Sequence, residues 1–255
     1  MRELCLVGLL VFVAGCVPNG PASTDAGATA ANTAAQRPKS PAAPVVARPT
    51  GSSTPTSPSP PLGAGFEDNF ERAALGPDWI TTGGDWRIDG GRLCIKGARN
   101  HGAWLNRTLP TNVRIEFDAL SNSPDGDIKA EIFGDGTSAA SGVSYNDATS
   151  YLTIFGGWKN SFHVLARLDE HASDRPEIRI APGSDDERAR PVSVGQVYHF
   201  KIERADGKTL IWWVGDMQMF KFVDPQPLWG PGHDHLGFND WEVPLCFDNL
   251  KVVAL

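Results

Sequence analysis

Apolar and polar residues alternate with period two through most of the chain after Phe66, and no other feature restricts the fold as strongly. Val113, Ile115, Phe117 and Ala119 interleave with Arg114, Glu116 and Asp118. Phe200 and Ile202 interleave with His199, Lys201 and Glu203, and Phe162, Val164, Ala166 and Leu168 with His163, Leu165, Arg167 and Asp169. Successive side chains point to opposite faces of a strand, so each run reads as a half-buried antiparallel strand. Turn signals separate the runs, at Pro124-Asp125-Gly126, Gly134-Asp135-Gly136, Ala205-Asp206-Gly207 and Gly230-Pro231-Gly232. Asp206-Gly207, flanked by two such runs, predicts a hairpin. No stretch sustains a helical stripe, and at most one short helical turn is expected near Glu71–Leu75. About a dozen strands at these spacings predict an all-β fold of two antiparallel sheets packed as a sandwich.

The chain before Phe66 is of another kind. Residues 16–65 are rich in Pro, Ala, Ser and Thr and hold no aromatic residue, whereas all eight tryptophans lie between Trp79 and Trp241. Such a segment cannot bury enough apolar surface to offset its chain entropy, and it reads as a disordered tether. In front of it, Met1-Arg2 precedes a ten-residue apolar run, Leu4 to Val13. Ten residues are too few to span a bilayer and match the hydrophobic region of a signal peptide. The run ends in Val13-Ala14-Gly15-Cys16, which resembles the lipobox of bacterial lipoproteins; Glu3 in the leading segment departs from that pattern. The resemblance implies a signal peptide over residues 1–15, lipid on the Cys16 thiol, and a membrane partner through that lipid anchor alone. Val17, standing where an Asp would favour the inner membrane, points to the outer membrane. The expected organisation is therefore leader 1–15, lipidated tether 16–65 and β-sandwich 66–255.

With Cys5 in the leader and Cys16 lipidated, Cys94 and Cys246 remain as an even pair in an oxidising compartment. Each sits between apolar neighbours, Leu93 and Ile95 or Leu245 and Phe247, and so faces away from them. A cross-strand disulfide accounts for this pattern, and two buried free thiols are the alternative.

The opening Phe66-Glu67-Asp68-Asn69-Phe70, Leu75-Gly76-Pro77-Asp78-Trp79 and Trp86-Arg87-Ile88-Asp89-Gly90-Gly91-Arg92-Leu93, together with the close Phe247-Asp248-Asn249-Leu250-Lys251-Val252, resembles the concanavalin A-like jelly rolls. That superfamily includes laminin G-like domains, legume-type lectins, laminarinase-type glucanases and 3-keto-disaccharide hydrolase-like domains. The resemblance implies a jelly roll over nearly all of residues 66–255, with the last strand beside the first. It leaves the activity open, because this fold hosts many.

Residues 66–255 carry 19 Lys and Arg against 28 Asp and Glu. A domain this acidic is a poor partner for phosphate backbones, so nucleic acid is not expected. Laminarinase-type enzymes carry three acids in a Glu-x-Asp-x-x-Glu arrangement. Glu116 and Asp118 supply the first two, but Ser121 stands where the third would be. Glu131, sharing a face with Asp127 and Lys129, is the remaining acid that could complete a split site with Glu116 and Asp118. No Ser-His-Asp, Cys-His or phosphate-loop pattern is present, and no catalytic set is assigned. His233 and His235 would point apart on a strand, so no metal site is expected there. The turns at Asp125, Asp127 and Asp135 have oxygen donors suited to calcium, although acidic turns without an ion are commoner.

Residues 155–171 concentrate groups that recognise sugars. Trp158 can stack on a pyranose, and Asn160, His163, Arg167 and Asp169 can hydrogen-bond hydroxyls. The last three share a strand face, to which Arg114, Glu116, Lys129, Glu131, Lys201 and Glu203 are expected to contribute. Trp79, Trp86 and Trp104 are expected in the core, with Trp212 and Trp213 on opposite sides of their strand. The expected function is binding of a glycan or polysaccharide by a lipid-anchored envelope protein. A glycoside-cleaving hydrolase and a laminin G-like protein-interaction module are the alternatives.

Overall fold

The computed structural model describes residues 58–255; the expected leader, Cys16 and the tether up to residue 57 lie outside them. Fifteen strands follow in the described residues. The first five are β1 (Gly65–Asp68), β2 (Trp79–Thr81), β3 (Arg87–Asp89), β4 (Arg92–Lys96) and β5 (Ala103–Leu105). The next five are β6 (Val113–Ser121), β7 (Ile128–Gly134), β8 (Tyr151–Gly156), β9 (Phe162–Arg167) and β10 (Glu177–Arg179). The last five are β11 (Val197–Arg204), β12 (Thr209–Val214), β13 (Met217–Val223), β14 (His235–Asn239) and β15 (Pro244–Ala254). They form an eight-stranded sheet, ordered β13-β12-β11-β6-β15-β4-β3 with β1 also on β15, and a seven-stranded sheet, ordered β10-β9-β8-β7-β14-β5-β2. The Asp206-Gly207 turn joins β11 to β12 as expected. No helix forms over Glu71–Leu75, where the Arg72 guanidinium instead holds Asp68 and the carbonyls of Ala74 and Leu75.

The two sheets enclose a core rich in aromatic rings. Phe117 stacks on Phe200 at 4.8 Å, and Phe238 stacks on Phe247 at 4.2 Å. Trp79, Trp86 and Trp212 are buried in the same core, while Trp213 lies on the outer face of the eight-stranded sheet under the Lys201 ammonium. Trp104 is fully buried too, but on the far side of the seven-stranded sheet, where its ring covers Gly134 and Gly237. A side chain at either glycine would collide with that ring.

β15 runs between β6 on one side and β4 and β1 on the other, so the last strand pairs with the first. Cys94 and Cys246 lie directly opposite each other in β4 and β15 and form a disulfide. Its loop spans 152 residues, and closing one so long is worth on the order of 4–5 kcal/mol in the chain-entropy model. Upstream of Phe66, Leu62 is already buried, and Pro60 and Leu62 exchange backbone hydrogen bonds with Thr108.

The outer faces of the sheets differ. On the eight-stranded sheet, Arg114, Glu116, Asp118, His199, Lys201 and Glu203 face solvent. On the seven-stranded sheet, the connections after β7 and β9 cover the outer face and enclose a second apolar cluster of Tyr145, Ala148, Leu152, Ile154, Val164 and Ala166. Lys129 and Glu131 are therefore buried beneath those connections rather than exposed. This overturns the expected single polar face, since Arg114, Glu116, Lys201 and Glu203 belong to one sheet and Lys129 and Glu131 to the other.

Candidate functional site

Six connections converge on a cleft of about 620 Å³ beside the covered face. Asn100 comes from β4–β5, Asp125 and Asp127 from β6–β7, and Val143 and Ser144 from β7–β8. Trp158 and Lys159 come from β8–β9, Glu170 and His171 from β9–β10, and Trp241 and Glu242 from β14–β15.

The turn that presents Trp158 is unusual. Gly156, Trp158, Lys159 and Asn160 all have positive φ, between 51° and 78°, so the chain makes a left-handed turn. Left-handed backbone costs a residue with a side chain roughly 1–2 kcal/mol, and such strain persists only where surrounding contacts over-determine it. Here Asn160 supplies them: its Nδ2 donates to the carbonyls of Pro124 and Val192, and its Oδ1 accepts from Val192 N. Gly126 meets Gly156 backbone to backbone, and Asp127 N donates to Gly156 O at 2.9 Å. A Cβ at Gly126 would lie 2.5 Å from Gly156 O. The two glycines thus let Asp127 and Trp158 reach the same cleft.

Beneath the cleft lies a buried polar network. Lys129 Nζ donates to Asn100 Oδ1 at 2.6 Å and to Glu170 Oε1 at 3.1 Å. Glu131 accepts from Tyr145, Ser150 and Asn239, and Asp127 Oδ2 accepts from Trp241 N at 2.6 Å. Asp240 joins the loops by accepting from Ala98 N and Val243 N. Burial pushes the Asp127 carboxyl up to about 6, against the pull of Lys129 and the Trp241 N–H. Burial raises Asp240 to about 7, and the neighbouring Asp127 charge adds to the rise. Burial alone would lower the Lys129 ammonium, but the Glu170 and Asp127 carboxylates carry it upward.

Two groups in this cleft keep hydrogen-bonding capacity. Asn100, 2% exposed, uses its Oδ1 on Lys129 and leaves Nδ2 without a partner among the described residues. Asp127, 7% exposed, uses Oδ2 on Trp241 and leaves Oδ1 free in the same sense. A donor and an acceptor left unpaired on two buried residues, beside two indole rings, can hold a hydroxylated ring, polar edge against the floor and apolar face against Trp158 or Trp241.

Of the residues expected to bind ligand, Trp158 lines this cleft and the other four do not. Asn160 is committed to the left-handed turn. His163 is buried between the sheets against Phe155, with its ring centroid at 4.3 Å, and it accepts from Gly156 N. Burial lowers its imidazole to about 4. Arg167 pairs with Asp224 at 2.7 Å and donates to Gln226 O, and Asp169 caps His171 N. The alternation of His163 and Arg167 with apolar residues predicts a solvent-facing position for both. Both faces of β9 are covered, so that alternation separates two interiors.

The carboxylates of the split-site alternative do not converge. Glu116 and Asp118 lie on the outer face of the eight-stranded sheet with His199, whose Nδ1 is 2.8 Å from Asp118 Oδ1. Glu131 is buried in the other sheet under Tyr145. Of the turns with calcium-type donors, Asp135 is occupied by Thr137 N and Ser138 N. Among the described residues no group of three or more His, Cys, Asp or Glu is arranged to hold a metal ion. No local signal in the sequence places Asn100, Glu170 and Trp241 at a common site. They stand in irregular connections, where no periodicity fixes the direction of a side chain.

No family model matches the chain, and no curated protein does. Solved structures do. The carbohydrate binding module CBM66 from Bacillus subtilis is 16% identical, with a TM-score of 0.51 over 71% of this chain and 98% of that one. The carbohydrate recognition domain of Emp47p is 12% identical, with a TM-score of 0.50 over 75% of this chain and 95% of that one. A sialidase is 10% identical, with a TM-score of 0.51 over 76% of this chain and 19% of that one. What they share with this chain is the fold. It is a jelly-roll β-sandwich.

Proposed function

We propose that the Trp158–Trp241 cleft binds carbohydrate and that the chain is a lipid-anchored protein of the cell envelope. The observation that carries the first part is the free pair at the cleft floor, Asn100 Nδ2 and Asp127 Oδ1, beside two tryptophans. A sugar offers adjacent donors and acceptors on its edge and C–H groups on its face, and it answers both features. Two of the similar folds carry carbohydrate binding or recognition in their names, which supports the same reading. The second part rests on the lipobox at Cys16, and the Cys94–Cys246 disulfide supports an oxidising compartment.

The test is a glycan array probed with residues 17–255, with calcium and with chelator. Saturable binding lost in Trp241→Ala and in Asn100→Ala, but kept in Arg167→Ala, is the expected result. Silence across the array would remove the carbohydrate reading, and loss with chelator alone would bring in calcium. Metabolic labelling with a fatty acid, lost in Cys16→Ser, tests the anchor.

A further inference from the structure

The charge around the cleft restricts which saccharide fits. Asp125, Asp127, Glu170 and Glu242 line it, and of the nearby cations most are already engaged. Lys129 is fully buried on Glu170 and Asn100, Arg99 pairs with Glu242 at 2.8 Å, and Arg175 pairs with Glu177. Glu131 and Asp240 lie just behind. Lys159 is the lining cation without an ion pair among the described residues, and it is exposed. The floor therefore gathers Asp127, Glu131, Glu170 and Asp240 around one buried ammonium. The fold also shows what suits the indole: the Arg175 guanidinium rests 4.4 Å from the centre of the Trp158 ring. Cations are drawn to tryptophan faces and to desolvated carboxylates, and anions are repelled by both.

Resting on the carbohydrate reading above, we infer that this cleft takes a saccharide bearing a protonated amine, a glucosamine-type unit. Its ammonium sits at Asp127 Oδ1 beside Trp158 and Trp241, and one of its hydroxyls accepts from Asn100 Nδ2. Uronic acids and sulfated sugars are excluded by the same carboxylates. Binding of the amine stabilises the Asp127 carboxylate, so at mildly acid pH it releases a proton from that group. The groups that act on Asp127 are Lys129, Glu170, Asp240 and the Trp241 N–H, and Asp125, Lys159, His171 and Glu242 line the same cleft.

The experiment is calorimetric titration of the full chain at about pH 6 with three probes of equal length: a glucosamine trimer, cellotriose and trigalacturonate. The glucosamine trimer is expected to bind roughly tenfold more tightly than cellotriose, with the ratio shrinking as salt rises and trigalacturonate weakest. Titration in two buffers of different ionisation enthalpy should show proton release for the glucosamine trimer alone. Asp127→Asn, which keeps an acceptor for Trp241 N, should bring the two affinities together, and the surface change Asp125→Asn should reduce the ratio without affecting folding. Equal affinity for the glucosamine trimer and cellotriose, or tightest binding of trigalacturonate, would overturn the amine preference and leave a saccharide site standing. No binding of any of the three would overturn both.

Discussion

The two sheets use the same alternating grammar for opposite ends. On the eight-stranded sheet the polar half of each strand meets water: Arg114 pairs in solvent with Glu116 and with Glu203, the latter at 2.8 Å, and Lys201 lies over the Trp213 ring. On the seven-stranded sheet the polar half of β7 is roofed by loops, and Lys129 and Glu131 must find every partner inside the protein. Exposed pairs contribute about 0–1 kcal/mol each, whereas a buried charge stripped of its partner costs about 3–5 kcal/mol. The covered face is thus where sequence changes are costly and where a ligand can find unsolvated polar groups.

The comparison can be broken most sharply at the disulfide, which lies on the open face. Cys94→Ala/Cys246→Ala should cost on the order of 4–5 kcal/mol in urea denaturation, because it opens the closed loop and returns conformational entropy to the unfolded chain. It is the exception that the open face should show. Lys129→Met should cost about 3–5 kcal/mol by leaving Glu170 buried without its ammonium, while Lys201→Met should change stability by less than about 1 kcal/mol. If the two lysines cost the same, the contrast between the faces fails.

Acid titration sharpens the same contrast. The folded Asp127 carboxyl titrates near 6, above the 3.8 of an unperturbed Asp, so the folded state holds its proton to higher pH than the unfolded chain. Stability of the natural chain relative to Asp127→Asn should therefore fall as pH rises from about 4 to 6 and level off above that. His163 works in the other direction. Its folded value of about 4 lies below 6.5, so its contribution is present above pH 6.5 and is lost as pH falls towards 4. Imidazole carbon–proton signals followed by NMR should show His163 uncharged at pH 5. The smallest effect is expected for Glu203→Gln, within about 1 kcal/mol and diminishing with salt.

Strand existence, the cysteine pair and the joining of first and last strands were legible because period, thiol placement and closing motif are local properties. Which face of a strand meets water was not. The pattern Asp127-x-Lys129-x-Glu131 looks like a solvated edge until the chain after β7 folds over it, and His163 looks polar-facing until both sides of β9 are filled. The cleft was less legible still. Trp158 announced itself by composition, but Asn100 and Trp241 reach it through backbone pairing between their loops, Asn100 N to Asp240 O and Arg99 N to Trp241 O. No spacing in the sequence encodes that meeting.

The position of β15 has a consequence for how the molecule comes into being. Its eleven residues are the shared seam of β1, β4 and β6, three strands made much earlier. A ribosome that has delivered everything up to β14 has delivered seven of the eight strands of this sheet, in two groups with a gap between them. Assembly of this sheet is therefore deferred until β15 has been made and is governed by long-range pairing, a slow class of folding reaction. Without β15 the sheet would lose its central plank, and with it one of the two partners of β6, one of the two of β4, and the strand on which β1 rests.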